Sequence, residues 1–317
     1  MRTRILIVVS LLFAVTANAQ KRIVVAQDGS GNYKTVQEAI NAVPDMSENV
    51  TEIYIKAGTY KERITVSKAK TNVTLVGEDA NKTILTWNDY AAKLDSSGKA
   101  LGTSKTASVY AMGVGFTAKN ITFENSSGPV GQALAIYVGA DKAAFFNCRF
   151  LGFQDTILTN GLGCREYYYD CYIEGTTDFI FGPSTAFFDK CKIFCKQGGL
   201  YITAASTPDT TKYGYVLLNC DISGSSRDNS FQLGRPWRPY AKVVYLKCNL
   251  SAVIKDNGWD NWKNEANEKT AYYAEYKNTG PGYQPTQRVA WSHQLTDDEA
   301  KMYTKKLILH GWEPKMP

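Results

Sequence analysis

ITFENSSGPVGQALAIYVGADKAAFFNCRFLGFQDTILTNGLGCREYYYDCYIEGTTDFIFG, residues 121–182, repeats itself at a 23-residue step. Three polar residues fall in one column, Gln132, Asp155 and Asp178, and a second column seven residues earlier holds Asn125, Cys148 and Cys171. Looser copies follow as AFFDKCKIF (186–194), YVLLNCDIS (215–223) and VVYLKCNLS (243–251). Each copy is a β-branched or aromatic run, then Asn, Asp or Lys beside Cys, then another apolar residue. Self-similarity at a fixed step without helical periodicity predicts an all-β solenoid, a parallel β-helix. Residues one step apart then stack on neighbouring strands about 4.8 Å apart. Gln132, Asp155 and Asp178 would form a polar ladder on one face, which is the candidate active site.

The flanks predict one domain, 20–317, behind a removable leader, 1–19. Arg2 and Arg4 precede the apolar run Ile5 to Val15, and Ala17-Asn18-Ala19 supplies a small-residue cleavage site. That run is too short to span a bilayer, and no other segment approaches about 20 apolar residues. A secreted or periplasmic protein starting near Gln20 is expected, with no membrane span and no lipid anchor, and as a monomer. Losing Arg2 and Arg4 lowers the formal charge from +6 to +4. No dense basic block concentrates this excess, so a nucleic-acid partner is not expected.

The seven cysteines are an odd number, and Cys148, Cys171, Cys191, Cys220 and Cys248 recur at the same place in the repeat. They read either as a buried stack of small apolar residues or, in an exported protein, as disulfide partners. No CxxC is present to suggest zinc or redox chemistry.

Along the chain, Ile23-Val24-Val25 reads as a first strand. A short helix follows, capped by Thr35 and Glu38 and ended by Pro44, and it would plug the open end of the solenoid. Glu52–Lys56 and Asn72–Val76 read as strands, and Trp87 to Ser108 as a projecting loop. Ser251 to Thr270, with Trp259 and Trp262, is expected on the surface. A C-terminal helix is expected from the capping box Thr296 to Glu299 up to Gly311.

Only two histidines exist, His293 and His310, and there is no GxSxG or HExxH. A Ser-His-Asp hydrolase or a His-ligated zinc enzyme is therefore not expected. Catalysis must rest on carboxylates, amides and arginine. Stacked carboxyls at Asp155 and Asp178 would keep one protonated and one ionised, and Gln132 and Gln154 could donate to an oxyanion. The same spacing equally fits a structural polar ladder or a retaining glycosidase. Gln154 and Asp155 are neighbours and cannot both face a groove from a regular strand, so a bend is expected at 153–156.

Five motifs in order narrow the choice: Gly58-Thr59-Tyr60-Lys61-Glu62, Gly131-Gln132-Ala133-Leu134-Ala135, Gln154-Asp155-Thr156-Ile157-Leu158, Asp178-Phe179-Ile180-Phe181-Gly182 and Leu233-Gly234-Arg235-Pro236-Trp237. With VAQDGSGNYKTVQEAINAVP (25–44), AEYKNTGPG (274–282) and Arg288–Trp291, the chain resembles the pectin methylesterase (pectinesterase) family over nearly all of its length, as a secreted bacterial-type member. Ile157 stands where that family usually has Leu. The resemblance implies a right-handed parallel β-helix that hydrolyses galacturonate methyl esters of pectin without cofactor or metal. It implies Asp178 as nucleophile, Asp155 as acid and base, Gln132 and Gln154 as oxyanion donors, and Arg235 as partner of Asp178. Trp237, Phe181 and Thr103 would contact the sugar, with Tyr60 and Glu62 bracing a turn near the cleft. Cys171 and Cys191 fit a disulfide found in some members. A polygalacturonate lyase or hydrolase, or a polysaccharide-binding β-helix without activity, is the alternative.

Overall fold

The computed structural model describes residues 22–317; the expected leader and mature start lie outside the described residues. The chain winds into coils whose strands build three parallel sheets of eleven, eight and seven strands. Side chains alternate in and out along each strand, and in-register pairing puts every inward residue on its counterpart one coil away. In the eleven-stranded sheet the inward column runs Leu75, Ala118, Phe145, Tyr168, Phe188, Leu217 and Tyr245. The rings of Phe145 and Tyr168 stack at 4.7 Å, and those of Tyr168 and Phe188 at 4.6 Å. Phe123 and Phe150 stack similarly in the eight-stranded sheet. These columns are the core.

The recurrent Asn/Asp/Lys-Cys pair is a turn. Asn120, Asn147, Asp170, Lys190, Asn219, Lys247 and Lys277 each follow a strand of the eleven-stranded sheet, and each has a left-handed φ between 45° and 57°. One such residue swings the chain into the eight-stranded sheet and aims the next residue inward. After five of these turns that residue is a buried cysteine.

All seven cysteines are free thiols, so the disulfide expected between Cys171 and Cys191 is not formed. The five thiols of the column instead point toward backbone carbonyls, Cys171 to Tyr169 of its own turn at 3.5 Å and Cys191 to Tyr168 of the preceding coil at 3.5 Å. The column packs as small apolar residues with weak S–H donors.

Coil length varies, which corrects the first reading of the columns. The 23-residue step holds where Phe145 pairs with Tyr168 and Ile157 with Ile180. Thr122, however, pairs with Arg149, so Ile121 rather than Asn125 lies beneath Cys148. Asn125 is buried and reaches the carbonyls of Asp89, Thr106 and Leu134, pinning the 88–107 loop to the coil. Likewise Ile136 pairs with Ile157, and the residue facing Gln132 is Gln154 rather than Asp155.

The N-terminal helix, Val36–Asn41, carries the expected capping box and buries Val36, Ala39 and Ile40. Glu62 accepts hydrogen bonds from Val36 and Gln37 N–H, so it anchors this helix rather than bracing a cleft turn. The C-terminal helix is two short ones, Asp297–Ala300 and Lys305–Ile308, because Thr304 is extended and caps the second. Ile308 and Leu309 pack with Phe187, Val216 and Val244, covering the outer face of the eleven-stranded sheet. Trp259 is not on the surface: it is 1% exposed and packs against Tyr245 and Tyr273. Among the described residues no helix is long and apolar enough to cross a membrane.

Candidate active site

The site lies on the outer face of the seven-stranded sheet. Tyr137, Leu158, Phe181 and Ala204 occupy one outward column of consecutive coils and form an apolar floor. At the entry to two of these strands the chain departs from regular pairing. Asp155 has φ 66° and its N–H donates to Thr177 O, while Gln154 bridges Gln132. This is the bend expected between Phe153 and Thr156. Thr156 Oγ1 secures it by donating to Glu174 O at 3.0 Å and Phe153 O at 3.3 Å. Gly152 is required beside it, since a Cβ there would lie 2.6 Å from that hydroxyl.

Asp178 repeats the device. Its φ is 50°, and the register against the next coil slips between Thr177 and Ile180, a one-residue bulge. Two successive coils therefore each present an aspartate from a left-handed residue. Asp tolerates that conformation better than most side chains, yet it costs of order 1–3 kcal/mol and persists only where neighbours enforce it.

Arg235 leaves the strand Gln232–Gly234 and meets Asp178 through two bonds, Nε to Oδ1 at 2.9 Å and Nη2 to Oδ2 at 2.6 Å. Its guanidinium lies between two rings, 4.0 Å from the centre of Tyr201 and 3.8 Å from that of Trp262. Trp262 itself has φ 60°, and its N–H donates to Asp260 at 2.7 Å. Trp237 meets Phe181 edge-on at 5.8 Å.

The carboxyls are 5% and 6% exposed for Asp155 and Asp178, so each pays to ionise. Burial first, and then the charge of Asp178, push Asp155 up to about 8, with Arg235 opposing. Burial raises Asp178 as well, but the Arg235 hydrogen bonds and charge work against it. Burial and the Asp178 charge thus favour the proton on Asp155, and the two bonds from Arg235 favour the anion at Asp178: an acid and a paired anion in one cleft.

That cleft encloses about 450 Å³ and is lined by all eight residues expected at the site: Gln132, Gln154, Asp155, Asp178, Arg235, Trp237, Phe181 and Thr103. Thr103 enters from a short 3₁₀ turn, Thr103–Lys105, in the projecting loop. Trp262, expected only on the surface, lines the cleft as well, and Tyr201 is a site neighbour without a sequence motif of its own. The signal for Tyr201 is its register, one coil above Thr177 and below Gln232.

The sequence model of one protein family, Pectinesterase, matches residues 22–312. The chain belongs to the pectinesterase family. It is 45% identical to Pectinesterase 31 of Arabidopsis thaliana over 87% of this chain and 88% of that one. Some longer plant relatives, named as probable pectinesterase/pectinesterase inhibitors, are matched over about half of their own length, 55% and 54% in two cases. A solved pectin methylesterase from carrot superposes with a TM-score of 0.83 at 35% identity, covering 91% of this chain and 93% of its own. A pectin methylesterase solved in complex with a hexasaccharide gives 0.80 at 29% identity, covering 93% and 98%. The pectinesterase fold is thus a parallel β-helix, and this chain is an enzyme of that class, a carbohydrate esterase.

Proposed function

We propose that the cleft hydrolyses methyl esters of galacturonate units in pectin through a covalent intermediate on Asp178. The observation that carries this is the unlike surroundings of two buried like groups: Arg235 bonds both oxygens of Asp178 and favours its anion, whereas burial and the Asp178 charge favour the proton on Asp155. The Asp178 carboxylate attacks the ester carbonyl, and the side-chain amides of Gln132 and Gln154 donate to the oxyanion that forms. Asp155 gives its proton to the methoxy oxygen as the carbon–oxygen bond breaks, and methanol leaves. Asp155, now a carboxylate, takes a proton from water, which attacks the acyl group and releases Asp178 and the free galacturonate. Trp237, Phe181 and Thr103 contact the sugar.

We read the working protein as residues 20–317, one domain, exported and monomeric. Support for export is the leader-like sequence from Arg2 to Ala19. The deciding experiment is methanol release from highly methylated pectin, wild type beside Asp178→Ala. Release by the wild type and its loss by at least a thousandfold in the variant is expected, on the order of what removing a nucleophile costs. Equal release by both would remove Asp178 from the chemistry, and shortened polymer without methanol would replace the esterase reading with chain cleavage.

A further inference from the structure

Behind the bend that carries Asp155, outside the cleft, Lys196 reaches across the intervening coil. Its Nζ donates to Gly152 O at 3.1 Å and pairs with Glu174 Oε1 at 2.8 Å. The same ammonium stands 3.6 Å from the centre of the Phe153 ring. Glu174 is fixed in turn by the hydroxyl of Tyr172, which donates to Oε2 at 2.9 Å.

We propose that Lys196 is a positioning residue for Asp155: anchored by Glu174, it clamps Gly152 and Phe153 and so holds the left-handed backbone that aims the carboxyl at the leaving oxygen. The inference rests on the reading of Asp155 as the general acid.

An ordinary surface ion pair contributes little. This one differs in two respects. Lys196 and Glu174 side chains are only 22% and 18% exposed, and the ammonium spends its remaining contacts on a backbone carbonyl and a ring of the bend itself. The bend needs such support. Asp155 stands in a conformation that its own backbone disfavours. The carbonyl of Phe153 is taken by Thr176 N–H and the Thr156 hydroxyl, and Lys196 takes the carbonyl before it. Two successive residues ahead of the acid are thereby tied to the coils above. A general acid works only within hydrogen-bond reach of the atom it protonates, so slack in the bend falls on the step that expels the alcohol.

That specificity supplies the test. Polygalacturonate is esterified either with methanol or with trifluoroethanol, whose alkoxide leaves with little need of a proton. Lys196→Met keeps the stem over Phe153 and removes the charge. It should lower kcat/KM on the methyl ester about tenfold with KM within about twofold, and the loss of kcat/KM, which excludes the deacylation both esters share, should shrink to about twofold on the trifluoroethyl ester. Lys196→Arg, which can restore both the ion pair and the ring contact, should recover the wild-type rate. The alkaline limb of kcat should move to lower pH in Lys196→Met, because water entering a loosened bend relieves the burial that keeps Asp155 protonated.

Equal losses of kcat/KM on the two esters, or a change confined to KM or to melting temperature, would overturn the proposal. Asp155→Ala is measured beside it. If Asp155→Ala loses kcat/KM, which stops at release of the alcohol, equally on both esters, the general-acid assignment itself falls. If it shows the leaving-group dependence and Lys196→Met does not, only the role of Lys196 falls. Glu174→Gln, which frees the anchor and leaves the lysine in place, repeats the test should Lys196→Met fold poorly.

Discussion

Asp155 and Asp178 come from successive coils with the same backbone twist, and they differ because Arg235 reaches only one of them. The pH dependence follows from that. Below about 8 Asp155 keeps its proton and can serve as acid; above it, two anions face each other and the acid is gone. The expected kcat/KM profile on a neutral methyl ester therefore falls as pH rises through about 8. A limb that survives unchanged in an Asp155→Asn variant with residual activity would assign it to another group. The two rings around Arg235 make a second expectation. Trp262→Ala removes one face of the stack, worth roughly 0.5–2 kcal/mol, and should lower kcat up to about tenfold by letting the guanidinium drift from Asp178. Steady-state kinetics with unchanged circular dichroism checks it. Asp155, Asp178 and Arg235 were legible in the sequence because each sits in a short motif of the family pattern. Trp262 was not. It arrives on a loop that folds back over the groove, and nothing local to Trp262 says which side chain it will cover.

Strands and turns were legible for a different reason: the β-branched and aromatic runs recur, and recurrence survives small errors in register. Coil length was not, because extra residues enter in turns and loops where the apolar pattern has no period to count. Hence the Cys column was read with Asn125 in it, when the pairing of Thr122 with Arg149 places Ile121 there. The left-handed turn was hidden in the same pattern. Asn and Asp suit it, and Lys190, Lys247 and Lys277 do not. Lys247 is exposed, so replacing it should touch little else. Lys247→Asn is expected to stabilise the protein by about 0.5 kcal/mol by relieving that backbone cost, and a chemical denaturation midpoint that falls instead would contradict it.

For the molecule as a whole, three sheets share one core and successive coils contact mainly their neighbours, so cohesion comes from stacking and not from crosslinks. With seven free thiols, reductant should leave the melting temperature unchanged, and the unfolded chain should titrate seven thiols without prior reduction. A melting point lowered by reductant would restore the disulfide expected from family resemblance. Its absence was beyond sequence reading, because adjacent cysteines in a column suit a bridge and a packed stack equally well. The ladder also has a direction, and the site is spread along it. Both aspartates belong to middle coils, whereas Arg235, Trp237 and Trp262 are delivered by later ones. A molecule worn away from its C-terminal end as far as residue 230 would still present its two carboxyls, but without the cation that tells them apart. The same coils hold Tyr245, Trp259 and Tyr273 of the core, so the charge that ranks the two acids and the packing that shelters them are lost from one end.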